Sequence, residues 1–194
     1  MDPLTPTQLQ FFSQDLAKIS IQMNEPIGRI EMIVGHYGPF EKDHTYEVPL
    51  WVGLYFKTNK MCKVIIPSWL HVEQLEQYLE AEETSDLFSP LPFYYQEVAY
   101  SLMKTAPEDF EDLDKTRSVF EELRQFRMDK VRAGLHSLNK DIETIMMTNV
   151  GATELALAKG FAYSIFESIS QLTDAAEGAE NHVNFNLRKA GLNE

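Results

Sequence analysis

The spacing of apolar residues changes near residue 70, and this change limits the fold more than any other feature of the chain. Between Ile27 and Pro67 apolar residues come in short runs, broken by Gly28, Gly35, Gly38, Pro39, Pro49 and Pro67. From residue 71 onward they recur at intervals of three and four, the period of a helix buried on one side. Short punctuated runs make strands and turns, and sustained 3.6-residue patterns make amphipathic helices. The expected fold class is mainly α, with a small β-containing N-terminal domain and a helical bundle domain following. The expected division is a small β-rich (α/β) domain with an N-terminal helix over 1–70, a helical domain over 71–172, and a loose, polar tail over 173–194.

Within the first unit, "TPTQLQFFSQDLAK" reads as a helix over 5–18, capped by Thr5 with Pro6 at its first position. "IGRIEMIV" (27–34) and "CKVII" (62–66) read as strands, the first ended by turns at Gly35, Gly38 and Pro39 and the second by Pro67. "VPLWVGLYFK" fits either period. As a strand, Val48, Leu50, Val52, Leu54 and Phe56 share a face; as a helix, Leu50, Trp51, Leu54 and Tyr55 form a stripe. Pro49 decides for a helix over 49–57, because proline has no N–H for a strand ladder and suits a helix start. In the second unit, helices are expected over 71–83, 93–105, 114–139 and 152–172. In the last, Leu155, Ala158, Ala162, Ile165, Ile169 and Leu172 form a seam of the kind that packs against another helix. "VNFNL" (183–187) alternates, which leaves an edge strand open beside disorder.

Chemistry finds little support. The five histidines have no close Cys or His companion at zinc spacing, and no nucleotide-loop, nucleophile-elbow or HExxH motif occurs. Cys62 lies in an apolar run and reads as a small buried hydrophobe rather than a reactive thiol. No apolar run approaches the roughly 18 residues of a membrane span, and the N-terminal stretch lacks the basic and apolar regions of a secretory signal. The reading is of a non-enzyme without cofactor or metal. Charge is unevenly distributed. Residues 71–114 carry one basic and twelve acidic side chains, and residues 115–140 carry seven basic and three acidic ones. Such neighbouring blocks suggest complementary surfaces within the chain or between subunits. The net charge of −13 opposes nucleic-acid binding through the bulk field. A stand-alone nucleic-acid module using the basic helix 115–132 is the alternative, but its cations do not share one face.

One residue of that helix stands out. Phe120, Leu123, Val131, Leu135 and Leu138 form its apolar stripe. At 100° per residue Arg127 projects inside that stripe, and Arg124 lies beside it. A guanidinium there needs an acid, a ring of carbonyls or a subunit boundary, unless its stem packs and its head reaches water. The acidic 71–114 segment is the evident source of partners.

Several segments, taken in order, carry a resemblance. "GPF" (38–40), "EVPLW" (47–51), "CKVIIPSWL" (62–70), "VEQLE" (72–76), "FSPLPFYYQE" (88–97) and "RQFRMDKVRAGL" (124–135) resemble the Psf-two type of GINS subunit, collinearly over about residues 25–165. GINS is the four-subunit factor of the eukaryotic replicative helicase. The resemblance implies a non-catalytic, nuclear scaffold subunit with three sister GINS subunits as partners in a heterotetramer. It also implies joining the MCM ring and the Cdc-forty-five protein, an indirect tie to the leading-strand polymerase, DNA contact only through the assembly, and no membrane. Pro49, Leu50 and Trp51 match the family's Pro-Leu-Trp, and Pro67 and Trp69 its Pro-x-Trp. Tyr94 and Tyr95 match its paired tyrosines, and Arg127, Lys130 and Arg132 its basic residues on the long helix. With Leu70, Arg124, Leu155, Ala162 and Ile165, these are the expected interface residues. The apolar block from Pro49 to Leu70 is expected to fill the seam between the two units and continue into contact with sister subunits. The chain departs from the family at His71, where an acidic residue is usual, and in its first 24 residues and its tail.

Overall fold

The computed structural model describes residues 4–32, 35–136 and 148–160. The first helix, α1 (Pro6–Leu16), starts where the sequence places it. Thr5 Oγ1 accepts the Gln8 N–H at 3.3 Å, and Gln8 Oε1 accepts the Thr5 N–H at 2.9 Å, a reciprocal capping box. The chain then enters β1 (Lys18–Met23), a strand the sequence reading missed. Ile19, Ile21 and Met23 alternate to one face and are buried, the period-2 signature of a half-buried strand. A ribbon of β2 (Ile30–Met32) and β3 (Gly35–Tyr37) follows. Of the expected strand over 27–34, Ile30–Met32 is strand and Ile27 makes only a bridge to Phe40, while its last two residues lie outside the described ones; Gly35, expected in a turn, opens β3.

Next come β4 (Thr45–Pro49), α2 (Leu50–Thr58) and β5 (Cys62–Ile65). The block containing Pro49 is both strand and helix. Pro49 ends β4 opposite Lys18 and precedes the first residue of α2. Because the antiparallel sheet has the order β4-β1-β5, Pro49 sits on an edge strand, where its missing N–H breaks no ladder. α2 lies on the buried face of β1 with Gly53 at the closest approach. A Cβ on Gly53 would stand 2.4 Å from Ile19 Cδ1, so the glycine is what lets the helix sit this near the sheet.

A short 3-10 turn (Ser68–Leu70) leads into α3 (Val72–Thr84), α4 (Tyr95–Thr105) and α5 (Leu113–His136), with a second 3-10 turn at Pro107–Asp109. A sixth helix, α6, covers residues 152–160. The expected continuation of that helix to 172, with Ala162, Ile165, Ile169 and Leu172, lies outside the described residues, as do the expected tail and the end of the long helix. One cluster of buried side chains runs from Ile19 and Ile21 through Leu50, Leu70 and Leu75 to Leu102, Phe120 and Leu123. The result is mainly helical, with a small sheet near the N-terminus.

Candidate functional site

A buried polar cluster is built around Arg127. α5 presents its apolar stripe to the core, burying Phe120, Leu123 and Val131, and Arg127 falls in the same stripe at 0% exposure. All five guanidinium N–H groups find acceptors. Nε donates to Glu154 Oε1 at 2.8 Å. Nη1 donates to Glu82 Oε1 at 2.6 Å and to the Ser89 carbonyl at 3.2 Å. Nη2 donates to the Asn149 carbonyl at 2.7 Å and to Glu154 Oε2 at 2.9 Å. The carboxylates are saturated in turn. Glu82 also accepts the Ser89 N–H at 2.8 Å and Lys130 Nζ at 2.6 Å. Glu154 also accepts the Tyr95 hydroxyl at 2.5 Å and the Gly151 N–H at 2.7 Å. The rings of Phe88 and Tyr95 stand 4.9 and 5.4 Å from the guanidinium carbon, so cation–π attraction adds to the ion pairs.

Two cations thus meet two carboxylates, and the cluster is neutral. Burial works against a charged Glu82, but the bonds from Lys130, Ser89 and Arg127 overcome it and hold its carboxyl below the usual range. Burial also opposes the charge on Arg127, and Glu154 and Glu82 more than offset this. Burial and the neighbouring Glu154 push Tyr95 well above the ordinary phenol range, so it stays neutral and donates. Nothing here is poised as an acid, base or nucleophile. Cys62 is likewise buried, and its thiol is pushed up to about 11 by that burial. The cluster acts as a lock: it ties the end of α3, the 85–94 connection, the start of α4, the middle of α5 and the 148–160 segment into one body.

A second buried ion pair joins the sheet to the helices. Lys57, at the end of α2, is 8% exposed at its side chain and lies 2.7 Å from Asp109 and 2.9 Å from Glu108. Asp109 Oδ2 also accepts the Val64 N–H at 2.8 Å, which occupies an outward-facing donor of the edge strand β5. Burial disfavours the Lys57 charge, yet the bonds it donates to Asp109 and Glu108 leave its pKa raised.

The expected interface residues divide into groups. Leu50, Leu70, Tyr95 and Arg127 are enclosed by the chain itself. They cannot present a surface, because the sheet, α2 and the helices close over them. Pro49, Trp51, Pro67, Trp69 and Tyr94 are half-buried. Pro67, Trp69 and Tyr94 come together with Leu16, Pro92 and Phe93 around an open apolar cleft of about 380 Å³. Arg124 pairs with Glu121 at 2.8 Å, Lys130 with Glu82 at 2.6 Å and Arg132 with Asp129 at 3.0 Å. Lys115 reaches Glu76 at 2.9 Å. Lys115, Arg124, Arg127, Lys130 and Arg132 of the basic helix thus meet acids of their own chain, which leaves little for phosphates. Leu155 is exposed; Ala162 and Ile165 lie outside the described residues.

Sequence reasoning found Arg127 and the acidic segment that supplies Glu82. It missed Glu154, Lys57 and Asp109. Glu154 did leave a signal, for "GATE" places a glutamate at the third position of α6 after a capping glycine, and its carboxylate reaches back to the Gly151 N–H. Asp109 left none, being one of five carboxylates in "EDFEDLD".

Comparison with known proteins adds a second line of observation. Residues 5–65 match the model of the PSF2 N-terminal domain, and residues 69–173 match the GINS complex protein helical bundle domain. The chain is 30% identical to the DNA replication complex GINS protein PSF2 of Candida albicans, over 90% of this chain and 85% of that one. It is 30% identical to the probable PSF2 of Brugia malayi, over 80% and 83% of the two chains. To the human PSF2 it is 28% identical, over 79% and 88%.

Proposed function

Because the chain belongs to the PSF2 family of GINS replication-complex subunits, we propose that it is a non-catalytic scaffold subunit of a GINS heterotetramer in the nucleus. In this reading it assembles with three sister subunits, and the assembly joins the MCM ring and the Cdc-forty-five protein in the replicative helicase. DNA and the leading-strand polymerase are reached only through that assembly. The observation that carries the reading is the presence of both family domains, in order, on one chain. A boundary near residue 70 between a β-rich unit and a helical unit, with a tail from 173, is part of the same proposal.

The surface supports it. Phe11, Leu16, Tyr55, Leu87 and Leu155 are exposed large apolar side chains. Of these, Leu16 stands at the half-open aromatic cleft with Trp69, Phe93 and Tyr94, and apolar carbon gathered at such a cleft suits the core of an interface. The interface residues this leaves available are Pro49, Trp51, Pro67, Trp69, Tyr94 and Leu155. The test is co-expression with three sister subunits from one organism, followed by size exclusion and native mass spectrometry. A stable 1:1:1:1 species is expected. A chain that runs as a well-behaved monomer and ignores its sisters would sink the proposal.

A further inference from the structure

The two edges of the three-stranded sheet are finished differently. Its order is β4-β1-β5, so β4 and β5 are both edge strands. On β5 the outward Val64 N–H is occupied by Asp109 at 2.8 Å. On β4 nothing comparable occurs among the described residues. The Leu50 N–H donates to the Ala17 carbonyl at 2.8 Å, and the Met23 N–H donates to the His44 carbonyl at 3.1 Å. Between these bonds the antiparallel register pairs Ile19 with Val48 and Ile21 with Tyr46. Hydrogen-bonded pairs alternate along such a ladder. Tyr46 and Val48 therefore turn their backbone groups toward β1, and Thr45 and Glu47 turn theirs outward. The N–H and C=O groups of Thr45 and Glu47 have no hydrogen-bond partner among the described residues. Both residues are exposed, Glu47 at 65% of its side chain.

Donors and acceptors alternating along an open edge are matched by one kind of ligand, another extended backbone. The side chains of β4 narrow the choice. Glu47 projects from the outer face of the sheet, 3.5 Å from Lys18. An exposed pair of this kind is weak, so Glu47 favours a cation placed opposite it on an added strand. Tyr46 projects from the other face, half-buried and edge-on to Phe40 at 5.0 Å. An apolar side chain opposite it would finish covering the ring. Pro49 has no N–H to offer and closes the edge at its end, which keeps the added segment short. A second β4 does not fit, because Thr45, Glu47 and Pro49 are its outward residues and none is basic.

We infer that the outer edge of β4 takes a short extended segment of a sister subunit, with a lysine or arginine opposite Glu47 and an apolar side chain opposite Tyr46. This inference rests on the GINS reading above and adds the position and chemistry of one contact. The contact is continuous with the interface residues already named. Pro49 ends β4, and its register partner Lys18 lines the aromatic cleft with Leu16 and Trp69.

The test is hydrogen exchange of the four-subunit assembly, read amide by amide. Tyr46 and Val48 bond to β1, so their protection reports an intact sheet whatever lies outside it. The Thr45 and Glu47 amides are expected to exchange about a hundredfold more slowly than in an unstructured chain. Glu47→Pro removes one outward donor and touches no bond to β1. It is expected to weaken assembly about tenfold, with Tyr46 and Val48 still protected. A photo-crosslinking residue at Thr45 is expected to capture a sister-subunit peptide holding a lysine or arginine beside an apolar residue. Glu47→Lys is expected to weaken assembly about threefold, and changing the captured cation to glutamate is expected to restore it. If wild-type chain fails to assemble, the GINS reading falls and this inference with it. If wild type assembles, three results overturn only the present inference. They are fast exchange at Thr45 and Glu47 beside protected Tyr46 and Val48, an assembly unchanged by Glu47→Pro, and capture of this chain's own 183–187 segment or of a second copy.

Discussion

The Arg127 cluster and the Lys57 pair both bury a cation, but they hold it differently. Arg127 has a planar fork with five donors, and five acceptors on four residues meet it with no access to water. Lys57 has a single ammonium between one buried carboxylate and one that is largely exposed. The first arrangement is closed and every member depends on the others. The second is open at Glu108, where water can replace a lost partner. Burial alone therefore does not rank two ion pairs; the completeness of their hydrogen bonding does.

This difference can be tested by breaking each side. Arg127→Met leaves Glu82 with Lys130 and strips buried Glu154 of its cation. It is expected to cost about 3–5 kcal/mol, the range for removing one partner of a buried pair, read as a lower unfolding midpoint or failure to recover soluble complex. Arg127→Lys is not expected to rescue it, since an ammonium cannot reach both carboxylates and both carbonyls. Asp109→Asn is expected to cost less, about 1–3 kcal/mol, because Asn retains an acceptor for Val64 and Glu108 remains beside Lys57. A cost equal to that of Arg127→Met would end the distinction drawn here.

The smallest expected effect is in acid. The folded-state pKa of Glu82 is lowered, so its contribution is fully present above the unfolded value of about 4.3. The contribution is lost as pH falls through the lower, folded value. Denaturant titrations at successive pH values are expected to show stability declining below about pH 4.3, with a shallower decline in Glu82→Gln, which is already weaker at neutral pH. An unchanged acid slope in that variant would remove Glu82 from the account.

Much of the fold was legible because local chemistry and tertiary packing agree. Thr5, Pro6 and Gln8 start α1 by bonds within four residues. The three-and-four spacing places α3, α4 and α5 to within about two residues at the ends inside the described residues. Strand β1 was missed because six residues of "KISIQM" are too few to outweigh the helix before them. β4 was missed because Pro49 was taken to choose between strand and helix, whereas it ends one and precedes the other. Among candidate interface residues, spacing alone marked Arg127 as a position that needs partners, and the chain supplies them itself. They did not separate the side chains the chain encloses, such as Leu50, Leu70 and Tyr95, from those it leaves half-open, such as Trp69 and Tyr94.

The sequence by itself determined the change from short runs to long helices, the order of the helices, the placement of an arginine in an apolar stripe, and kinship with a replication-complex family. These depend on spacing along the chain, which the sequence states directly. Only the tertiary structure decided that Glu82 and Glu154, respectively 45 and 27 residues away from Arg127, would share it, that Asp109 would cap one edge strand, and that the outer edge of β4 would be left open. Those outcomes depend on which distant groups arrive at one point and exclude water there, and no local pattern encodes that arrival.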